Sequence, residues 1–200
     1  LLKEIFSFIN SSNLPRENLS EYGDIEYIHY GDIHTYNNTI FDCSKEKFPF
    51  INSELVKETP LLRNGDLIMV DASEDYSGLG KSFEIKNVGQ SKIVAGLHTI
   101  VLRGNDSIIS NNYKQFLQFL PMFKLEIIKI ATGISVYGVS KLNLSNIEIP
   151  LPPLPEQTAI ATVLSDMDAE ISALETRKTK TISLKQGMMQ ELLTGRIRLV

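Results

Sequence analysis

The sequence predicts an α+β fold, in which a β-rich globular domain is followed by one long, coiled-coil-forming α-helix. Two observations lead to this prediction. Short apolar runs separated by glycine-containing turns dominate the first 150 residues, a pattern typical of strands. After residue 156, apolar residues recur at alternating intervals of four and three, which indicates a helix with a pairing seam.

The predicted elements of the first domain can be justified in chain order. Residues 25–33 mix apolar and polar side chains and end at a Gly-Asp pair, as a strand does. The other predicted strands are residues 67–70, 81–86, 93–95, 99–102, 136–139 and 144–149. Residues 111–130 carry apolar side chains at helical spacing, and Pro121 is expected to break or kink that helix.

A proline-rich segment marks the domain boundary. Four of the eight prolines of the chain fall within residues 150–155, where fixed φ angles favour an extended and stiff backbone. We therefore expect a globular domain over residues 1–152, and a hinge with a long helix over residues 153–200.

The long helix is predicted over residues 156–193, with Gly195 as the residue that ends it. At 1.5 Å per residue it would be about 57 Å long. Its predicted pairing residues are Ile160, Leu164, Met167, Ile171, Leu174, Ile182, Met188, Met189 and Leu192. Lys178, Thr181 and Lys185 interrupt the seam, so we expect pairing in a defined register rather than through a uniform apolar zipper.

Composition excludes several classes of protein. With 42% apolar and 22% charged residues the chain is an ordered globular protein. It has no apolar run of the ~18–20 residues that span a bilayer, so it is not expected in a membrane. Its single cysteine, Cys43, excludes an intramolecular disulfide framework and fits a cytoplasmic location.

The net charge of −4 conceals an uneven distribution. Residues 1–80 contain 6 Lys/Arg and 14 Asp/Glu, a balance of −8, whereas residues 81–155 contain 8 and 4, a balance of +4. Residues 156–200 contain 6 of each. Because salt screens exposed charges beyond about 8–10 Å, a basic cluster in a mildly acidic chain can still bind DNA.

The sequence indicates neither a catalytic site nor a metal site. His29 and His34 would point to opposite faces of an extended strand, and His98 is isolated along the chain. One enzymatic alternative stays open. Asp66 or Asp71 with Glu84 and Lys86 resembles the carboxylates and lysine of a metal-dependent nuclease, although Glu-x-Lys is common as a solvated pair on strands.

The order of motifs resembles the specificity subunit of Type I restriction–modification systems. Residues 62–68 (Leu-Arg-Asn-Gly-Asp-Leu-Ile) and the glycine turn at 78–81 resemble the central strand of that family. The segment Leu-Pro-Pro-Leu-Pro-Glu-Gln at 151–157 and the tail Leu-Leu-Thr-Gly-Arg at 192–196 are the most specific matches.

The resemblance implies a non-catalytic subunit that reads a bipartite target in double-stranded DNA. It implies methyltransferase (M) subunits and a motor–nuclease restriction (R) subunit as partners, with S-adenosylmethionine, ATP and Mg²⁺ on those partners and no cofactor on this chain. Family members usually have two recognition domains, whereas this chain has one. It is therefore either half of a longer subunit or a half-length form that pairs with a second copy through the long helix.

Residues that contact DNA vary within such a family, so candidates come from composition and turns alone. The candidates for phosphate contact are Lys81, Lys92, Lys124 and Lys141. The candidates for base or sugar contact are Ser73, Tyr76, Ser77, Thr132, Ser135 and Tyr137. Besides the nuclease, a coiled-coil interaction protein without a DNA role remains an alternative.

Overall fold

A computed structural model describes residues Leu1–Leu199 and has the α+β architecture that the sequence predicts. The chain divides into two compact units. The first spans Leu1–Thr158, and the second begins at Ala159, slightly beyond the boundary at residue 152 that the prolines suggest.

The first unit contains short strands. The first six are β1 (Phe6–Ile9), β2 (Leu19–Ser20), β3 (Ile25–Ile28), β4 (Ile40–Asp42), β5 (Phe50–Ile51) and β6 (Asp66–Val70). The others are β7 (Ala72–Ser73), β8 (Ser82–Lys86), β9 (Lys92–Ala95), β10 (Thr99–Gly104) and β11 (Tyr137–Gly138).

Helices occupy the connections and the C-terminal part. The α-helices are α1 (Leu2–Ile5), α2 (Tyr30–Thr35), α3 (Pro121–Ile130), α4 (Lys141–Ser145) and α5 (Leu154–Leu193). Short 3₁₀ turns occur at Arg16–Asn18, Ser53–Val56 and Lys114–Phe119. Pro121 is the first residue of α3, so the helical pattern of residues 111–130 breaks where the sequence predicts.

The strands form two sheets and a ribbon. The larger sheet has the order β1-β10-β6-β8-β4, in which only the β4–β8 pair is parallel. The smaller sheet has the order β2-β5-β3-β9, in which β3 and β9 are parallel. Strands β7 and β11 form a separate antiparallel ribbon.

The main core lies where the inner faces of the two sheets meet. Phe83 and Val101 of the larger sheet and Ile28 and Ile93 of the smaller sheet belong to one buried cluster. Because apolar side chains of both sheets are removed from water together, this cluster fixes one sheet against the other and provides a rigid support for the loops.

Gly65 makes the tight turn that leads into β6. Its φ of +81° lies in the left-handed region, and a Cβ added here would lie 2.2 Å from Asn111 Oδ1 and 2.9 Å from Lys114 Nζ. Its N–H donates to the carbonyl of Ile85 at 2.8 Å. The glycine of the Asn-Gly-Asp turn is therefore required by backbone conformation and by space.

The strand predicted at 25–33 is shorter in the structure and the one predicted at 144–149 is absent, and a helix cap explains each difference. Strand β3 ends at Ile28, because the N–H of His29 donates to Asp32 and the N–H of Gly31 donates to His29 Nδ1, which starts α2. Ser140 accepts from the N–H of Asn143 and starts α4, so a helix occupies the beginning of the predicted strand 144–149.

The start of α5 is anchored by the buried amide of Gln157, which is 1% exposed. Its Oε1 accepts from the N–H of Ser110 at 2.9 Å, and its Nε2 donates to the carbonyls of Ile108 and Pro152, each at 2.9 Å. One side chain thus satisfies three backbone groups of the first unit. The glutamine of the Pro-Glu-Gln segment is therefore a structural residue.

Helix α5 confirms the predicted long helix, and Gly195 follows its end with a φ of +72°. The predicted seam is largely uncovered along the helix. Met167, Ile171 and Leu174 are 55%, 53% and 55% exposed, and Ile182, Met188 and Met189 are also exposed. Ile160, Leu164 and Leu192 are half-buried. An apolar row of this kind on a solvent-facing helix indicates a surface that another helix can cover.

Across residues 1–199, no helix combines the length and the apolarity that crossing a bilayer requires.

Cys43 is buried among the aromatic rings of the core, and burial together with the nearby Glu26 carboxylate raises the pKa of its thiol to about 11. The thiolate is the reactive species, so at pH 8 this shift alone should slow alkylation roughly a hundredfold relative to an ordinary thiol. We expect iodoacetamide to label Cys43 at least that much faster in denaturant than in the folded protein, as followed by mass spectrometry. Equal rates in the two states would contradict the burial of this thiol.

Candidate DNA interface

The β7–β11 ribbon brings together two loops that are distant in sequence. Ser73 pairs with Tyr137 and Ala72 pairs with Gly138, so residues 72–77 lie beside residues 132–138. We call these two segments the tyrosine ribbon. Six of the predicted DNA-contact residues are in it, although their positions along the chain do not indicate that they are neighbours.

Two tyrosines stack on the ribbon, of which Tyr76 is exposed and Tyr137 is half-buried. The ring centroids of Tyr76 and Tyr137 are 4.0 Å apart and the rings are inclined by 25°. Desolvation raises the pKa of Tyr76, and the hydrogen bond with Tyr137 raises it further, which favours the neutral phenol of Tyr76. Stacked phenols at the surface offer an apolar face together with hydroxyl groups that donate and accept hydrogen bonds.

A tight turn forms the tip of the ribbon. Gly133 has a φ of +129°, and a Cβ there would lie 1.9 Å from the carbonyl oxygen of Val136. Thr132 and Gly138 exchange two backbone hydrogen bonds, of 3.0 and 2.7 Å, that close the turn. Ser135 is exposed at its tip beside Ile134, which is 93% exposed. The turn therefore projects apolar and hydroxyl groups into solvent.

The two serines of the ribbon serve their own loop in this structure. Ser73 is buried, and its Oγ accepts from the N–H of Asp75 at 3.3 Å. Ser77 is exposed, and its Oγ donates to Asp75 Oδ1 at 2.6 Å. Gly78 also donates its N–H to that carboxylate, at 2.7 Å. These bonds fix the shape of the loop that carries Tyr76.

A cleft of about 250 Å³ opens next to the ribbon. We call it the lysine cleft. Among the residues that line it are Asn37, Asn38, Ser77, Lys81, Phe119 and Lys124. The full lining comes from residues 37–124 and contains two lysines but no acidic residue. The lining is therefore locally basic in a chain with a net charge of −4.

The two lysines of the cleft differ in whether their ammonium groups already have a partner. Lys81 Nζ donates to the carbonyl of His34 at 2.6 Å, and burial lowers the pKa of Lys81. Lys124 is exposed on α3, and its ammonium group has no ion-pair partner within the part of the chain that the structure describes. Lys124 is thus the cation that can reach a phosphate without giving up a contact.

The structure places the other two candidate lysines differently. Lys141 is half-buried beside the ribbon, with its Nζ 3.4 Å from the carbonyl of Ile9. Lys92 is exposed at the end of β9 that pairs with Ile25. It is the other end of β9, at Ala95, that leads towards the ribbon. Lys92 therefore lies apart from the other candidate residues.

Histidines behind the ribbon form a cluster that sequence reasoning missed. The rings of all three histidines contact Tyr30, with centroid distances of 4.4 Å for His29, 6.0 Å for His34 and 5.4 Å for His98. Burial lowers the pKa of His29, which favours its neutral form. Within residues 1–199 no group of three His, Cys, Asp or Glu side chains is arranged to hold a metal ion.

This cluster ties α2 and the start of β10 to the ribbon. His34 Nε2 lies 3.2 Å from the carbonyl of Ala72, and His98 Nδ1 lies 3.1 Å from Asp71 Oδ1. Burial raises the pKa of Asp71, and the neighbouring His98 opposes that rise. Helix α2 begins at the cap formed by His29 and Asp32, and that His-x-x-Asp spacing is the signal that could have revealed the helix.

The carboxylates of the nuclease alternative are held apart by separate partners. Asp66 accepts two hydrogen bonds from Arg103, of 2.8 and 2.7 Å, and one from the N–H of Arg63 at 2.8 Å. Asp71 is bonded to His98, and Lys86 is exposed at the end of β8. These groups do not converge on a shared position, so the geometry gives the nuclease reading no support.

Glu84 is buried next to an equally buried lysine. It accepts from the N–H of Asn112 at 2.7 Å and of Gln115 at 3.4 Å, and its Oε1 lies 3.9 Å from Lys114 Nζ. Lys114 also donates to Asn111 at 2.6 Å. Burial raises the pKa of Glu84 and lowers that of Lys114, and their mutual attraction opposes both shifts. The pair is a structural element of the domain.

The fold and this surface define a class of protein: a rigid β-rich scaffold that presents loops for binding, followed by a long helix. Comparison with known families then identifies the chain. The family model described as the Type I restriction modification DNA specificity domain matches residues 1–184. Because the match covers most of the chain, this protein belongs to that family.

Individual relatives agree with this membership. The putative type I restriction enzyme MjaX specificity subunit of Methanocaldococcus jannaschii is 31% identical over 138 residues, which is 69% of this chain and 32% of that protein. The MjaVIII specificity subunit of the same organism is 29% identical over 158 residues, 76% of this chain and 36% of that protein. The chain thus spans about a third of the length of these relatives.

Solved structures share the fold. The S subunit of the Type I restriction–modification system from M. genitalium superposes with a TM-score of 0.59 at 14% sequence identity, over 95% of this chain and 44% of that one. The HsdS subunit from Thermoanaerobacter tengcongensis gives a TM-score of 0.57 at 19% identity, over 95% and 43%.

Proposed function

We propose that this chain recognises a specific double-stranded DNA sequence for a Type I restriction–modification complex. One observation carries the proposal. The β7–β11 ribbon collects hydroxyl and aromatic side chains from two distant loops, beside a cleft that holds two lysines and no acid. Phosphate-contacting cations next to groups that can read base edges are the two components that sequence-specific binding requires.

The two parts of the surface have different roles in this proposal. Lys124 and Lys81 contact phosphates and set the position of the duplex, a role that carries no sequence information. Thr132, Ser135 and the stacked pair of Tyr76 and Tyr137 lie against bases or sugars. A two-stranded β ribbon is narrow enough to enter the major groove, where each base pair presents a distinct pattern of hydrogen-bonding groups.

Catalysis belongs to the partners in this proposal. The methyltransferase subunits supply S-adenosylmethionine chemistry, and the restriction subunit supplies ATP-driven translocation and Mg²⁺-dependent cleavage. This chain contributes sequence recognition and assembly and needs no cofactor of its own. The partly uncovered seam of α5 is the surface through which it joins a second long helix.

The second long helix belongs to another copy of this chain or to a second recognition half. If two copies pair, the complex has twofold symmetry and its DNA target is an inverted repeat with a fixed spacer. If a different half supplies the second helix, the two parts of the target differ in sequence. A bipartite target is common to both arrangements.

The proposal is tested by reconstituting the full chain with its methyltransferase subunit and mapping the methylated motif on genomic DNA. An inverted repeat with a fixed spacer is the expected result for two paired copies. A motif without symmetry, obtained only after a second recognition half is added, would support the other arrangement. An assembled complex that methylates no defined motif would overturn the proposal and favour an interaction protein without a DNA role.

A salt titration separates phosphate contact from sequence reading. We expect Lys124→Ala to weaken binding of the reconstituted complex to all DNA sequences similarly, and to reduce the slope of log K against log salt by about 1. The matched control is Lys92→Ala, since Lys92 is also an exposed lysine and lies outside the candidate surface. Fluorescence anisotropy at several salt concentrations measures both slopes, and equal slopes for the two variants would remove Lys124 from the interface.

A further inference from the structure

We infer that Asn37 reads an adenine base at the mouth of the lysine cleft. This inference rests on the proposed function, because it names a specificity-determining residue within the same surface. Asn37 is exposed, lines the cleft together with Lys81 and Lys124, and was absent from the candidates that sequence reasoning gave.

Several neighbouring polar side chains of the cleft are already engaged, among them Asn38, which is hydrogen-bonded to Tyr36. Gln118 accepts from the N–H of Ser82 at 3.1 Å and donates to the carbonyls of Ser82 and Gln115 at 2.8 and 3.0 Å. Thr39 donates to the side chain of Gln115. The side-chain amide of Asn37, in contrast, has no hydrogen-bond partner among residues 1–199. It is therefore a free amide beside two cations.

The backbone on both sides of Asn37 is fixed. The N–H of Tyr36 donates to the carbonyl of Asp32 at 3.0 Å, and its hydroxyl bonds to the carbonyl of Ile40 at 3.0 Å. Two residues after Asn37, the carbonyl of Thr39 accepts from the N–H of Glu84 in the larger sheet at 2.9 Å. The amide is thus carried on a short loop anchored to the scaffold, so little ordering is needed when it binds.

The chemistry of the free amide selects the base. An asparagine side chain presents one donor and one acceptor side by side, which matches the N7 acceptor and N6 amino donor of adenine in the major groove. Phe119, exposed on the cleft wall, adds an apolar surface suited to the methyl group of the paired thymine. Lys81 and Lys124 hold the adjoining phosphates, so the base edge and the backbone are contacted from one cleft.

Two substitutions at Asn37 give distinct results. In the reconstituted complex, Asn37→Ala should lower discrimination at one adenine of the methylated motif by about tenfold or more, since the bidentate contact is lost. Asn37→Asp keeps the shape but only accepts hydrogen bonds, so the preference at that position should move towards cytosine, whose amino group donates. Sequencing of methylated positions on a library of randomised sites measures both.

The control is Asn13→Ala, which removes an exposed asparagine amide outside the cleft and should leave the motif unchanged. An unchanged motif in Asn37→Ala would overturn this inference while the proposed function stood. Equal loss of methylation at all sequences, with assembly intact, would also overturn it, because Asn37 would then support binding in general. A wild-type complex without any motif would refute the proposed function itself.

Discussion

Replacing Lys114 by methionine should destabilise the recognition domain by about 3–5 kcal/mol at neutral pH. Lys114 and Glu84 are 1% and 3% exposed, and methionine preserves most of the lysine volume while removing the charge. The substitution leaves the Glu84 carboxylate buried with two backbone N–H donors but without its buried cation. Urea denaturation followed by circular dichroism measures the loss as a lower transition midpoint.

The pH dependence and a double variant identify the cause. Burial already raises the pKa of Glu84, and removing Lys114 raises it further. A carboxyl group with a raised folded-state pKa stabilises the protein at low pH and loses that contribution as pH rises through the folded pKa. The defect of Lys114→Met should therefore shrink on acidification. The double variant Lys114→Met/Glu84→Gln should lose much less stability than the sum of the losses in the two single variants. Strictly additive losses would refute coupling through this pair.

Placing a charge in the seam of α5 should disrupt assembly. Ile171 is 53% exposed in the single chain. Fully burying an isoleucine side chain contributes about 1.5–3 kcal/mol, and covering the exposed part on pairing contributes a substantial share of that free energy. Ile171→Lys removes that contribution and places a charge within the apolar row, and it does so in both helices when two copies of the chain pair. We expect helix pairing to weaken at least a hundredfold, which corresponds to about 3 kcal/mol. Sedimentation analysis over a dilution series measures it.

Thr176→Lys is the matched control, because it adds the same charge five residues further along α5, away from the seam. That variant should assemble normally, and both variants should retain a folded recognition domain. If Ile171→Lys assembles as well as Thr176→Lys, the apolar row is not the pairing surface. If both fail equally, the added charge is responsible rather than the seam.

Local signals explain what could be predicted of the fold. Turn residues before an apolar run predicted β6, and the four-three spacing predicted α5 within two residues of its true start. The same reasoning failed at α2 and α4, since both are short helices started by single side-chain caps that a hydrophobic pattern does not record. In an element of only five or six residues, the hydrogen bonds of a helix cap decide the structure more strongly than a weak apolar periodicity does.

Long-range pairing explains what could not be predicted of the site. The hydrogen bonds between Ser73 and Tyr137 join segments 64 residues apart, and no periodicity reports such a pairing. The contact of the three histidines with Tyr30 depends on the same packing. The sequence also does not indicate which side chains are hydrogen-bonded. The amide of Asn37 has no partner among residues 1–199, whereas that of Gln118 bonds to Ser82, although both are amides in polar surroundings.

The motifs that carried the family resemblance have mainly structural roles. Gly65 fits a left-handed turn with no space for a side chain, Asp66 is held by Arg103, and Gln157 satisfies buried backbone groups. Such residues report a shared scaffold. The residues proposed to read DNA lie in loops supported by that scaffold, which can change without disturbing it.

The pairing of β1 with β10 has a consequence for biosynthesis. Phe6 faces Gly104, so the first strand of the larger sheet has no partner until 98 further residues have been made. Closing so long a loop is slow, and an unpaired strand edge is exposed to aggregation in the meantime. The buried hydrogen bonds of Gln157 form later still. The nascent domain therefore matures only once the ribosome has begun to translate α5, so recognition and assembly surfaces become available nearly together.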